Sequence, residues 1–208
     1  MPTLLLVDLQ NDFCPGGALG VPEGDLVVPI ANRLIDAFEL VVATQDWHPA
    51  DHGSFAANHP GKRPGDVIEL DGLEQILWPV HCVQNTPGAE FHPELNLDRV
   101  THVFQKGTDP KVDSYSSFFD NRRRVTTGLA DYLRDQGVRR LCLCGLATDY
   151  CVVFTALDAV ELGFETWVVE DACRGVNLKP GDVDRAVAEM RSQGVKITTS
   201  HEILATRS

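Results

Sequence analysis

Leu141-Cys142-Leu143-Cys144-Gly145-Leu146-Ala147-Thr148-Asp149-Tyr150-Cys151, running on through Val152, Val153, Phe154, Ala156, Leu157, Ala159, Val160 and Leu162, decides how this chain folds. A short apolar strand stops at Gly145, turns, and resumes as a helix that is apolar on nearly every side. Such a helix belongs in an interior. Thr148 or Asp149 is a natural cap for it, since a short oxygen-bearing side chain accepts a bond from an orphaned N–H. Cys151 then lies in the first helical turn, where free N–H groups and the helix dipole favour a thiolate. That makes it a candidate nucleophile. A cysteine in an apolar helix is also an ordinary core residue, so the choice between the two depends on what the rest of the chain brings to it.

Outward from this stretch, the same strand-then-helix pattern repeats. Residues 4–7 form an apolar run that ends at Asp8, followed by the turn chemistry of Leu9-Gln10-Asn11-Asp12-Phe13-Cys14-Pro15-Gly16-Gly17. Residues 27–38 carry helical spacing, and residues 40–43 make a second strand leading into Thr44-Gln45-Asp46-Trp47-His48-Pro49. From 49 to 80 no strong periodicity appears, and only residues 70–77 suggest a short helix. A connection of that length is functional or disordered, and its aromatic close at Trp78-Pro79 favours order. Further strands are expected over 101–105, 166–169 and 196–198, and further helices over 127–136 and 180–193. Strands alternating with helices imply parallel βαβ units and a sheet covered on both faces. No repeat or linker divides the chain, so one domain over 1–208 is expected.

The 208 residues allow a sizeable core. A formal net charge of −12 argues against nucleic acid or an anionic membrane surface as partner. No apolar run is long enough to span a bilayer, and the start lacks the pattern of a signal peptide; a soluble, cytoplasmic protein is expected. Six cysteines in such a chain read as thiols rather than a disulfide framework.

In an open parallel sheet, sites form outside the carboxyl ends of the strands. The first strand ends at Asp8, the second leads to Asp46 and His48, the third to Lys106, and the fourth to Cys151. A thiol that attacks a carbonyl must lose its proton, and Asp8 can take it and later return it to a leaving group. Lys106 can hold that carboxylate and favour the thiolate. The backbone N–H groups of Ala147 and Cys151, at a turn opening a helix, suit the oxyanion formed on attack.

Asp46 and His48, two apart on an extended segment, face the same way. A third ligand must come from elsewhere: His52, His59, His81 or His92, of which His81 fits best because it follows the Trp78-Pro79 turn. Three protein ligands leave room for water or substrate, and a mixed carboxylate and imidazole set fits zinc, iron or manganese. Phe13, Trp78 and Tyr115 fall on predicted loops, where they either stack on a flat ring or anchor their loops.

These motifs, Val7-Asp8-Leu9-Gln10-Asn11-Asp12-Phe13, Gln45-Asp46-Trp47-His48-Pro49, Trp78-Pro79-Val80-His81-Cys82-Val83, Lys106-Gly107, Asp113-Ser114-Tyr115-Ser116 and Gly145-Leu146-Ala147-Thr148-Asp149-Tyr150-Cys151, taken in this order, resemble the bacterial nicotinamidases among the isochorismatase-like cysteine hydrolases. The resemblance implies an α/β fold, a three-layer αβα sandwich around a mostly parallel twisted sheet of about six strands. It implies hydrolysis of nicotinamide to nicotinate and ammonia in NAD salvage, with pyrazinamide also accepted. Asp8, Lys106 and Cys151 would be the triad, Asp46, His48 and His81 the ligands of one divalent metal ion per chain, zinc foremost. His52 and Ser54 stand where the family's further ligand, direct or through water, varies. Phe13 and Trp78 match the ring-sandwiching aromatics, Tyr115 is carried with them, and the bond between Leu146 and Ala147 is expected to be cis. A monomer or small homo-oligomer is expected. The turn between Phe38 and Leu40 is shorter than the family usually has. Two rivals remain at this point: a carbamoyl or ureido hydrolase of the same superfamily, and a noncatalytic metal-binding protein on the same fold.

Overall fold

The computed structural model describes residues 2–205. In chain order its elements are β1 (Pro2–Val7), α1 (Val27–Ala37), β2 (Leu40–Asp46), β3 (Val67–Leu70), β4 (Leu73–Ile76), β5 (Val100–Lys106), α2 (Leu129–Asp135), β6 (Arg140–Leu146), α3 (Val153–Glu161), β7 (Glu165–Arg174), α4 (Asp182–Ser192), β8 (Lys196–Thr198) and α5 (Ser200–Ala205). Six strands form one sheet in the order β5-β2-β1-β6-β7-β8, every neighbouring pair parallel. α1 packs on β1, β6 and β7 and meets α5, while α3 and α4 pack on one another and on β7 and β8. The result is the αβα layering that the alternation of elements implies.

The apolar runs explain the centre. Leu4, Leu5, Leu6 and Val7 on β1 and Leu141 and Leu143 on β6 are fully buried, each contributing about 1.5–3 kcal/mol relative to an exposed side chain. From β1 the chain moves outward through β2 to β5; from β6 it moves the other way through β7 to β8. The order therefore reverses between β1 and β6, and the crevice outside their carboxyl ends is where a parallel sheet places its ligand. Register does the rest. Val7 pairs with Gly145, setting Asp8 beside the turn toward Cys151, and Asp46 pairs with Lys106.

Three expectations change. Residues 70–77 are not a helix: β3 and β4 form a separate antiparallel hairpin. Its two-residue turn is Asp71-Gly72 with φ of +47° and +78°, a sequence strongly favoured where both turn residues need positive φ. The fourth large strand does not end at Gly145 but runs on to Leu146. Gly145 is required because a Cβ there would sit inside the main chain of Val7. Neither Thr148 nor Asp149 caps the following helix; residues Thr148–Val152 form a wider π turn. Asp149 instead accepts the backbone N–H groups of Val176 at 2.9 Å and Asn177 at 2.7 Å. A loop distant in sequence, rather than the helix start, holds that carboxylate.

The short join holds as read. α1 stops at Ala37, Phe38 is already extended, and β2 opens at Leu40. All six cysteines are buried thiols, and no disulfide joins them. No helix among the described residues is long and apolar enough to cross a membrane.

Candidate active site

Asp8 follows directly from β1 and is fully buried, with a φ of +48°. Its Oδ1 accepts the Thr44 hydroxyl at 2.7 Å, and its Oδ2 pairs with Lys106 Nζ at 2.9 Å. Lys106, the last residue of β5, is equally buried. Its ammonium also donates to Asp46 Oδ1 at 2.5 Å, to the Ser114 carbonyl at 2.9 Å and to Cys151 Sγ at 3.4 Å. One ammonium thus holds two carboxylates and the thiol.

Burial dominates the electrostatics of this group. It raises Asp8, with Lys106 opposing, so the carboxylate is a better proton acceptor than an exposed aspartate. Burial alone would depress Lys106, but Asp46 and Asp8 outweigh it and hold the ammonium well above its usual range. Cys151 is raised well above an ordinary thiol by burial, which Lys106 only partly offsets. The expectation of a resting thiolate is therefore corrected. Desolvation exceeds the pull of one cation and a helix end, and the resting group is a thiol beside its proton acceptor.

Asp46, His48 and His81 offer ligand atoms that all lie within 4.8 Å of one another, and all three side chains are buried. His48 Nδ1–H donates to the Gly107 carbonyl at 2.8 Å, and His81 Nδ1–H to the Pro79 carbonyl at 2.8 Å. Each bond orients its ring and leaves Nε2 for an ion, the usual arrangement of ligating histidines. Gly107, at a φ of +66°, is glycine because a Cβ would strike the His48 ring. Burial, with His48 nearby, pushes His81 down to about 4, so its ring is neutral. Burial also lowers His48, but Asp46 overrides it and raises the ring's affinity for a proton. His48 Nε2 faces Asp46 Oδ2 at 3.6 Å. One carboxylate and two imidazoles make a donor set that fits a divalent metal ion.

His52 and Ser54 are both fully buried, and His52 Nδ1 is 2.7 Å from the Ser54 hydroxyl. Among the described residues, His52 Nε2 has no hydrogen-bond partner. Its ring lies against His48, centroids 4.3 Å apart, and groups with His48 and Asp113 rather than with Asp46 and His81.

These two clusters meet at a small cavity of about 30 Å³ walled by Phe13, Leu19, Asp46, Trp78, His81, Asp113, Ala147, Tyr150, Cys151 and Val176. Ala147 and Cys151, the expected oxyanion donors, both border it, and the peptide bond between Leu146 and Ala147 is cis. Phe13 and Trp78 reach the cavity. Tyr115 does not: its hydroxyl stands behind Trp78 and accepts the indole N–H at 3.1 Å. A much larger hollow of about 680 Å³ opens near Glu23, Arg174 and Arg191. It contains none of the groups above except the neighbouring Thr148, so chemistry rather than size picks out the smaller one. Leu19 and Val176 in the wall, and Thr44 and Gln75 behind it, had no signal in the sequence. Tyr150 alone was findable, as the neighbour of Cys151.

A family model described as the isochorismatase domain matches residues 2–202. The chain belongs to the isochorismatase domain family. Within that family it is 56% identical over 200 residues to the nicotinamidase of Escherichia coli strain K12, covering 94% of this chain and 93% of that one. Its structure is similar to the nicotinamidase/pyrazinamidase of Acinetobacter baumanii, with a TM-score of 0.94 and 48% identity over 97% of each chain. The pyrazinamidase of Pyrococcus horikoshii in complex with zinc superposes with a TM-score of 0.78 at 45% identity, covering 95% of this chain and 98% of the other.

Proposed function

We propose that this isochorismatase-family chain hydrolyses nicotinamide to nicotinate and ammonia through a thioester on Cys151, and deamidates pyrazinamide by the same route. The observation that carries the reading is a single ammonium, Lys106, bonded at once to Asp8, Cys151 and the ligand-type Asp46. It joins an acyl-transfer group to a metal-binding group at one aromatic-walled cavity. The names of the relatives supply the substrate class.

Sγ of Cys151 attacks the carboxamide carbon while its proton passes to Asp8. The new C–S bond puts negative charge on the amide oxygen, for which the backbone N–H groups of Ala147 and Cys151 are the donors. Asp8 returns the proton to the amide nitrogen, the C–N bond breaks, and ammonia leaves. Water then adds to the thioester with Asp8 again as base, which releases nicotinate and restores the thiol. Lys106 keeps the Asp8 carboxylate in place and offsets the charge that moves among these groups. Asp46, His48 and His81 would hold a divalent ion, zinc foremost with iron or manganese as the alternatives, and His52 or Ser54 would reach it directly or through water. When bound, that ion supplies a Lewis-acidic anchor beside the ring. Phe13 and Trp78 would enclose the ring.

With this activity we propose a single domain over residues 1–208, which the family match over 2–202 supports, and action in the cytoplasm, in NAD salvage, as a monomer or small homo-oligomer. The test is ammonia release from nicotinamide. Cys151→Ala abolishes it while the far-ultraviolet circular dichroism stays unchanged, and chelation followed by metal-by-metal restoration identifies the ion. Turnover retained in Cys151→Ala removes the mechanism.

A further inference from the structure

The β3–β4 hairpin stands apart from the main sheet, yet one of its side chains reaches the wall of the site. Alternation along β4 leaves Glu74 exposed and turns Gln75 inward to 4% exposure. The Gln75 amide nitrogen lies 2.8 Å from its acceptor on Ile76, 3.0 Å from Asp113 Oδ2 and 3.0 Å from the Tyr115 hydroxyl. That hydroxyl also accepts the Trp78 indole N–H at 3.1 Å. Asp113 and Trp78 line the cavity, and Tyr115 and Gln75 do not.

An indole N–H can only donate, so a buried Trp78 needs an acceptor that is itself held still. The Tyr115 hydroxyl is that acceptor, and the Gln75 amide N–H bonds the same oxygen. The hairpin tip is tied to the same loop, because Arg122 Nε pairs with Asp71 Oδ2 at 2.9 Å and Asn121 Oδ1 accepts the Tyr115 N–H at 3.0 Å. A residue needed only to fill this space would be apolar, since a buried amide costs stability unless its bonds are made.

We propose that Gln75 is a positioning residue for the ring wall: it clamps Asp113 and, through the Tyr115 hydroxyl, sets the plane of the Trp78 indole against which an aromatic amide lies. This rests on the aromatic-amide reading of the site, and deepens it by assigning the hairpin its part in binding. Gln75 touches no reacting atom, so its loss weakens substrate and transition state alike, raising KM and leaving kcat in place.

Steady-state kinetics on nicotinamide are compared for Gln75→Met, Tyr115→Phe and the double variant, with Glu74→Ala on the outer face of the same strand as control. Each of the two single changes raises KM about fivefold, the size of one neutral hydrogen bond, with kcat within about twofold. The double variant is no worse than the worse single, because both act through Trp78. Glu74→Ala leaves both constants unchanged. Calorimetric binding of nicotinate shows the same loss without turnover. If the unaltered protein released no ammonia, the proposed activity would fail while calorimetry still measured the wall. Nicotinate affinity and KM unmoved in both singles, losses that multiply in the double variant, or a fall confined to kcat would each overturn the inference. Should Gln75→Met not fold, Tyr115→Phe, which removes one oxygen atom, decides alone.

Discussion

Replacing Lys106 by Met tests the centre of the site through both stability and activity. The methionine fills similar space but removes the cation shared by Asp8 at 2.9 Å and Asp46 at 2.5 Å, all in the interior. Breaking a buried ion pair from one side costs about 3–5 kcal/mol, because the remaining charge is left without compensation. For a domain of this length each kcal/mol moves Tm by about 2–4 °C, so metal-free Lys106→Met should melt about 6–20 °C below metal-free wild type. The pH dependence carries a sign. Burial would raise Asp46, but Lys106 leads the groups that hold it below its usual range. A depressed carboxylate contributes stability that is present above the unfolded value of 3.8 and is lost as pH falls through the folded one. Without Lys106 that contribution shrinks, so the gap between variant and wild type should be full at neutral pH and close in acid. Added divalent metal should restore part of the lost stability, since a cation again faces Asp46. Thermal melts of chelated and metal-loaded protein at pH 7 and well below pH 3.8, with ammonia release at pH 7 alongside, read all of this. A chelated Tm within about 2 °C of wild type, or substantial turnover in the variant, would refute the shared-cation account.

Thr44→Val removes the hydroxyl that holds Asp8 Oδ1; bonds to charged groups are worth about 1.5–3 kcal/mol, so kcat should fall about tenfold or more, with Thr44→Ser close to wild type. Gly107→Ala forces a side chain toward the His48 ring at a backbone angle that disfavours it. Chelator competition should show metal affinity reduced by about 10–100-fold, as for other supports of a ligating histidine, and unchanged affinity would count against His48 as a ligand. Far from the site, bonds from Lys196 and Arg140 hold Glu165 down at about 2. Its stabilisation is present above the ordinary 4.5 and disappears as pH falls toward 2. Because the Glu165 side chain is 38% exposed, the loss in Glu165→Gln should be small and erased by high salt in urea melts at pH 6.

Much of the site was legible because parallel sheets collect strand-end residues on one edge. Asp8, Asp46, His48 and Lys106 each end or follow a strand expected from the sequence, and the switch between β1 and β6 brings Cys151 to them. The hairpin was missed although its Asp71-Gly72 signal was present, since four-residue strands outside the main sheet leave almost no periodicity. Tyr115 was placed in the cavity wall by motif, but it stands behind Trp78, because a residue's order in a motif does not say which layer its ring occupies.

By itself, then, the sequence determined the layered sheet, the order of its strands' polar ends, and the set of groups available for chemistry: apolar runs, turns and short motifs are local properties. Only the tertiary structure decided that burial raises the proton affinity of Cys151 and of Asp8, and that Gln75 bonds Asp113 and Tyr115 from a distant hairpin. Proton affinity and cavity shape are sums over groups brought together from opposite ends of the chain. Desolvation, the largest contribution here, exists only once the core has closed around them.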